Sequence, residues 1–254
     1  MTRHLVIPDT QVKPGHPLDH LRWAGMYAAE KKPDVIVHIG DHWDFESLSS
    51  YDKGKKSFEG RRYVKDIDAG NKGLAAFMEP IVNEQHRLRI NKKAQWNPRL
   101  VFTVGNHEHR IERAINNDAM LEDLIGLHHT NLLDYGWEVI PFLEVVVIDG
   151  IAYSHYFTSG VMGRPVSSAR LMLQKKFMSC VMGHVQDRDI AFATKADGTR
   201  MTGIFAGIFY QHDEDYLTPQ TNRSWRGVWM LNEVKDGQFD ELPVIIDYLR
   251  SKYA

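Results

Sequence analysis

Apolar runs recur along the first three-quarters of the chain: HLVIPD, DVIVHIG, RLVFTVG, FLEVVVIDG, IAYSH and SCVMG. Their apolar stretches are nearly continuous rather than alternating, which predicts strands buried on both faces. Helical spacing separates the early ones. HPLDHLRWAGMYAAEKK carries Leu18, Leu21, Trp23, Met26 and Tyr27 and ends in lysines, as a helix C-terminus prefers. Strands alternating with helices predict βαβ units and a mainly parallel sheet. From about residue 187 the pattern changes. DIAFATKADGTRMTGIFAG and GVWMLNEVKDGQFDELPVIIDY each pair two strand-like runs across ADG or KDG, which predicts antiparallel hairpins. The expected fold is α/β, a two-sheet β-sandwich flanked by helices in αββα layers, with 1–254 as one domain.

The stretch from about 45 to 98 is long for a connection. Val64, Ile67, Leu74, Phe77, Met78, Ile81 and Leu88 follow three- and four-residue steps, so a helical insertion is expected there. Between Lys53 and Arg99 stand twelve Lys or Arg and five Asp or Glu. One reading is a solvated helix face. The other is a basic ledge for a phosphate backbone, with Tyr51, Phe58 and Tyr63 placed for stacking.

The totals narrow the class. The 254 residues are 43% hydrophobic, enough for one sizeable core, and the formal net charge of -2 implies no polyanion or membrane partner for the molecule as a whole. The lone Cys180 excludes an internal disulfide and a cysteine-based zinc site, and it reads as a small core residue. The N-terminal apolar run is too short for a signal peptide, and no apolar segment is long enough to span a bilayer. A cytoplasmic location is therefore expected.

Five short pieces stand at strand ends: DTQ (Asp9–Gln11), GDHWD (Gly40–Asp44), GNHEHR (Gly105–Arg110), SH (Ser154, His155) and GHVQD (Gly183–Asp187). Strand ends at one edge of an α/β sheet converge, so these groups can share a crevice. Asp, Asn and His together suit hard to borderline divalent metals. Singly, each has a plainer explanation. Asp41 and Asn106 fit turn or cap positions, His155 a satisfied strand-end histidine, and Gln186 a surface residue.

In this order and spacing, from Asp9 to Gln186, the five pieces resemble the calcineurin-like metallophosphoesterases. That family's pattern is Asp-x-His, Gly-Asp-x-x-Asp, Gly-Asn-His-Glu or Asp, a lone His, then Gly-His-x-His. The resemblance implies two divalent ions bridged by Asp41, with Asn106, His155 and His184 completing one site and Asp9 in the other. Both departures fall on that other site: Gln11 and Gln186 stand where the family has histidine. Amide oxygen is a harder donor than imidazole nitrogen, so Mn²⁺ is the expected metal, with Mg²⁺, Zn²⁺ or Ni²⁺ compatible. A weakened first site has three outcomes, in decreasing order of expectation. The centre stays binuclear with a hard metal, its second ion arrives with substrate, or catalysis is lost.

The resemblance also implies His107 at the leaving oxygen and Asp41 in the catalytic centre, with Glu108 or Asp44 orienting a ligand. Arg110 and His109 are candidates for phosphate contact, as are Arg61 and Arg62 of the basic stretch. The family's protein phosphatases usually follow the second motif's Asp with Arg-Gly, whereas this chain reads GDHWDFES. With the basic stretch, this favours hydrolysis of phosphodiesters in nucleic acid, similar to the repair-exonuclease branch. The alternatives are a phosphatase or cyclic-nucleotide phosphodiesterase for small substrates, and a non-catalytic metal- or nucleic-acid-binding member.

Overall fold

A computed structural model describes residues 1–50, 54–214 and 223–254, with the Ser57 side chain excepted. Tyr51, one of the proposed stacking residues, lies outside the described residues. Strands β1 (Thr2–Ile7), β2 (Val35–His38), β3 (Arg99–Thr103) and β4 (Glu138–Ile140) run parallel in that order. The hairpin β10 (Gly227–Lys235) and β11 (Gln238–Ile245) joins antiparallel to β1, giving the sheet order β11-β10-β1-β2-β3-β4. The second sheet contains β5 (Val146–Ile148), β6 (Ile151–Tyr153), β7 (Cys180–Met182), β8 (Arg188–Thr194) and β9 (Arg200–Ala206), in the order β5-β6-β7-β9-β8.

The period-two geometry of strands shows where each apolar run spends its side chains. Val6, Val37, Ile39 and Val101 face the second sheet and meet Ile151, Tyr153, Val181, Ile204 and Trp229 in the sandwich interior. The alternate residues Leu5, Ile7, Ile36 and Phe102 face outward into a helical layer. On the far side, Ala152, Cys180, Met182 and Phe205 pack under α4 (Ala169–Lys176). Continuous apolar runs arise because both faces are covered, and Cys180 is a buried core thiol. Two sheets between helices form the expected αββα layers.

Both expected hairpins form, with turns inside the stretches read from the sequence. A third joins β5 to β6 through Asp149 and Gly150, whose φ values of 49° and 85° match those of Asp236 and Gly237 at the β10–β11 turn (50° and 78°). Positive φ at both central residues is the condition for the hairpin turn whose twist suits flanking strands.

The stretch expected as an insertion supplies a layer of the fold. Helix α2 (Tyr63–Ile90) turns Leu74, Phe77, Met78 and Ile81 into the core shared with α1 (Asp19–Lys31) and the outer face of the six-stranded sheet. Val64 instead faces solvent. The two helices approach backbone to backbone at Gly25 of α1, where a Cβ would overlap the Phe77 carbonyl. Replacing glycine by alanine in a helix ordinarily stabilises by up to about 1 kcal/mol. Here the sign is reversed: Gly25→Ala is expected to cost about 1–3 kcal/mol, as overpacked cores do. Urea unfolding measures the difference, and a stabilised variant would contradict this packing.

Candidate metal centre

The β1 strand ends at Ile7, and Pro8 leads the chain to Asp9 under the joint of the two sheets. Its carboxylate accepts the His184 N–H at 3.1 and 3.2 Å, and its carbonyl accepts the Phe209 N–H at 2.7 Å. Residues 10–13 then run beside the loop after β2. Gln11 N–H and Val12 N–H donate to the Asp41 and His42 carbonyls at 2.8 and 2.7 Å, and Asp44 N–H returns to the Val12 carbonyl at 3.2 Å. The DTQ and GDHWD segments are thus extensions of adjacent strands. The loop after β3 closes on the same point, where His107 N–H donates to Asp41 Oδ1 at 2.9 Å.

Glu108 ties these loops together. Its Oε2 accepts N–H groups of Asp41 and Gly105, both at 2.9 Å, and its Oε1 accepts those of His42 and Trp43 at 2.7 and 3.0 Å. Burial, and the Asp41 charge beside it, push its pKa up to about 7. The four donors favour the ionised form, and a cation on Asp41 would remove the opposing charge. The α2 helix supports the loop from behind: His42 bridges Thr10 Oγ1 at 2.7 Å and the Gly70 carbonyl at 2.9 Å. A Cβ on Gly70 would overlap the Trp43 ring.

The donor groups meet as metal ligands would. Ligand atoms of Asp41, His155 and His184 lie within 4.8 Å of one another, the group among the described residues whose Asp and His donors suit a metal. Asn106 Oδ1 stands between the two rings, 2.9 Å from His155 Nε2 and 2.7 Å from His184 Nδ1. His155 gives its Nδ1–H to the Ile39 carbonyl at 2.8 Å. Burial lowers its pKa, so the neutral ring turns an Nε2 lone pair toward Asn106 Oδ1 and toward Asp41 Oδ2 at 3.4 Å. Acceptor lone pairs this close repel one another unless a proton or a cation stands between them.

A second sign comes from Gln11. Its side chain is 2% exposed and its Oε1 has no hydrogen-bond partner. A buried amide oxygen left without a partner costs about 1–3 kcal/mol unless something else satisfies it. Gln11 and Gln186 line one cavity of about 710 Å³ with Asp41, Asn106, His107 and His184. Asp9 is buried beside Asp41, and burial and that neighbouring charge raise its pKa well above the carboxylate range. Two adjacent buried acids, two imidazole nitrogens and amide oxygens fit divalent metal. Backbone strain marks the same residues: Gln11, Asp41 and His184 have φ of 36°, 50° and 64°, a region that side chains seldom adopt. The motif glycines make room. A Cβ on Gly105 would overlap Asp41 Oδ1, and one on Gly183 would overlap Asp9 Oδ1.

His107 Nδ1 lies 2.5 Å from Asp44 Oδ1, and its Nε2 stands 3.7 Å from Asp41 Oδ2. Burial opposes charge on this ring, but Asp41 and Asp44 outweigh it and raise the pKa. Asp44 itself is held below the usual carboxylate range, with burial opposed chiefly by His107 and then by Lys13. Arg110 lines the cavity and donates to the Asp44 carbonyl at 2.6 Å. Arg61 also lines it, 3.7 Å from Glu46.

Two expected phosphate contacts are placed elsewhere. His109 stacks on Phe142 with centroids 4.4 Å apart and pairs with Glu112 at 3.0 Å, turned away because it begins the α3 turn (Arg110–Asn117). Arg62 is exposed, bonds the Arg61 carbonyl, and is not in the cavity lining. Sequence reasoning missed Lys13, which is buried in the cavity wall 3.2 Å from Asp44, 3.2 Å from Glu46 and 2.5 Å from Glu214. Its position two residues past Gln11 was a signal. Glu214 offered none, because it arrives with the segment after β9.

No protein-family model matches the chain. The "Gene 54 protein" of Mycobacterium phage L5 is 25% identical over 194 residues, covering 74% of this chain and 70% of that protein. The protein of the same name from Mycobacterium phage D29 shows the same identity and coverage. Among solved structures, Yfce, a phosphoesterase from E. coli, matches at 12% identity and a TM-score of 0.35, over 95% of this chain and 99% of that one. A dimetal phosphatase from Danio rerio matches at 12% identity and a TM-score of 0.38, over 96% and 99%. The layers and the meeting of strand-end motifs are those implied by the calcineurin-like metallophosphoesterase resemblance.

Glu108 generates a stability prediction. Glu108→Gln places an NH₂ group against backbone donors and strands at least one of them. It is expected to cost about 2–3 kcal/mol. Urea denaturation reads this directly, and an unchanged midpoint would show that the four bonds are not needed.

Proposed function

We propose that the chain is a metal-dependent phosphoesterase that hydrolyses phosphodiester bonds, with nucleic acid as its substrate class. The observation that carries the first part is the buried, unpartnered Gln11 amide oxygen lining one cavity with Asp41, Asn106 and His184. Asp41, Asn106, His155 and His184 would hold one ion, and Asp9, Gln11, Asp41 and Gln186 the other. Bound metal supplies charge neutralisation at the phosphoryl group and an acidified water at neutral pH. The chain's own residues do the rest. Glu108 fixes Asp41, Ile39 fixes the His155 tautomer, and His107 Nε2 faces the reacting centre to protonate the leaving oxygen. Mn²⁺ is the proposed metal, because Gln11 and Gln186 make the second ligand set rich in oxygen.

The nucleic-acid part is supported by Lys55, Arg61 and Arg110 lining the cavity and by the exposed Arg62 and Lys65 beyond them. One feature favours a second reading, a small phosphoester: Glu46, Asp213 and Glu214 line the same cavity, so its wall is not of one sign.

Hydrolysis of bis-p-nitrophenyl phosphate is expected with Mn²⁺ and is expected to vanish in Asp41→Asn. No hydrolysis of any ester with any divalent ion would leave a binding protein. Changing Gln11 and Gln186 together to His is expected to raise Zn²⁺ affinity at one of two sites, read by calorimetry. Unchanged metal count and affinities would remove both residues from the ligand set. Reversing Arg62 and Lys65 is expected to lower the salt slope of oligonucleotide binding by about 1 per lost phosphate contact. An unaltered slope favours the small substrate.

A further inference from the structure

We propose that Lys13 is a positioning residue for this site: it holds the Asp44 carboxylate in the orientation that aims His107 at the leaving oxygen. The proposal rests on the phosphoesterase reading above. The side chains form a continuous chain of contacts. Lys13 Nζ is 3.2 Å from Asp44 Oδ2, and the other oxygen of that carboxylate is 2.5 Å from His107 Nδ1. The Lys13 side chain is 10% exposed and that of Asp44 7%, so solvent has little part in the pair. Geometry before the side chain fixes the partnership, because the Val12 carbonyl accepts the Asp44 N–H and the two segments run alongside each other.

Lys13 is itself anchored from the far side. Glu214 Oε2 lies 2.5 Å from Nζ, and the other Glu214 oxygen is 2.9 Å from His212 Nε2. Glu46 Oε1 adds a third carboxylate at 3.2 Å. A surface lysine adjusts freely, whereas an ammonium held by three carboxylates in a cavity wall has one place to be. The Asp44 carboxylate is in ion-pair contact with both Lys13 and His107 and cannot turn without losing one contact, while His107 Nδ1 also bonds the Asp44 carbonyl at 2.9 Å. The imidazole Nδ1 is committed to Asp44, and Nε2 stands 3.7 Å from Asp41 Oδ2 and 3.3 Å from the Arg110 guanidinium.

The step served is the departure of the alcohol. The oxygen of one water bonds to phosphorus. The bond from phosphorus to the leaving oxygen breaks with its electron pair on oxygen. That oxygen takes a proton from His107 Nε2, and the proton shed by the attacking water restores His107 through solvent. A nitrophenolate leaves without such help, whereas an alkoxide requires it.

The test uses the Mn²⁺-loaded protein and phosphodiesters with nitrophenyl, phenyl and alkyl leaving groups. For Lys13→Met the loss in kcat is expected to grow from under about threefold with nitrophenol to roughly 100-fold with an alkyl alcohol, with KM within about twofold. In a His107→Ala background Lys13→Met is expected to cause no further loss. Lys13→Arg is expected to recover most of the alkyl-ester rate. Thermal unfolding is followed for each variant. Lys13→Gln carries the same expectation should Lys13→Met not fold. An equal loss on every leaving group, or the same loss without His107, would make Lys13 a structural lock and overturn the proposal. Wild-type protein inactive on every ester overturns the phosphoesterase reading, and this one with it.

Discussion

Two carboxylates, Asp9 and Asp41, sit side by side in the interior, 1% and 2% exposed. Like charges this deep repel each other and are poorly solvated, so the fold must either neutralise them or compensate them. Much of the surrounding structure is compensation. His184 N–H donates to both oxygens of Asp9, and His107 N–H donates to Asp41. Glu108 gathers four N–H groups from the loops that carry Asp41 and the Gly-Asn motif. These bonds organise the backbone, yet they do not cancel two charges. The remaining charge is met by a proton on Asp9, whose pKa is raised, or by a bound cation, and imidazole and amide groups surround the place where a cation would stand.

This constraint also explains what was legible in the sequence. Strands β1, β2, β3, β6 and β7 had to be apolar on both faces, so their runs announced themselves. Their polar endings marked one sheet edge, and the family resemblance singled out Asp9, Asp41, Asn106, His155 and His184 there. Strand β4 is three residues long with Glu138 at its start, too short to show a period. The α2 helix was legible as a helix, but its place was not. Gly25 and Gly70 carry the reason, through close approaches to Phe77 and Trp43 that no periodicity encodes. His109 was misplaced because neighbours in a motif share sequence and not direction. The helix that starts at Arg110 swings His109 toward Phe142 while Arg110 stays with Asp44.

Charge was the least legible property. The excess of lysine and arginine between Lys53 and Arg99 suggested a single basic surface. In the fold, Lys72 pairs with Asp68, Arg87 with Glu84, and Arg99 with Glu138. Among the described residues, the part of the excess that lines the cavity is Lys55 and Arg61. Acids distant in sequence also arrive there. Glu214 comes in because Phe209 N–H is bonded to the Asp9 carbonyl, which draws the segment after β9 across the centre. Strand endings show which polar groups gather at one sheet edge, since a strand end is local. They predict its electrostatics poorly, since charges collect from everywhere.

The two glutamines are best understood from this balance. Replacing a neutral imidazole by a neutral amide leaves the charge around Asp9 and Asp41 unchanged. On the proposed function it would alter which ion is held, and how firmly, without disturbing the compensation that keeps the acids buried. A carboxylate at either position would have added a third negative charge to the pair, and an alkyl side chain would have removed a donor. Gln11 bears the backbone cost of its place, with φ at 36° and its amide oxygen otherwise unsatisfied. A residue under strain, buried and without a protein partner is poorly explained by packing alone. It is well explained by a ligand. On the proposed function, the departure from the histidine pattern is a retuned metal site rather than a decayed one.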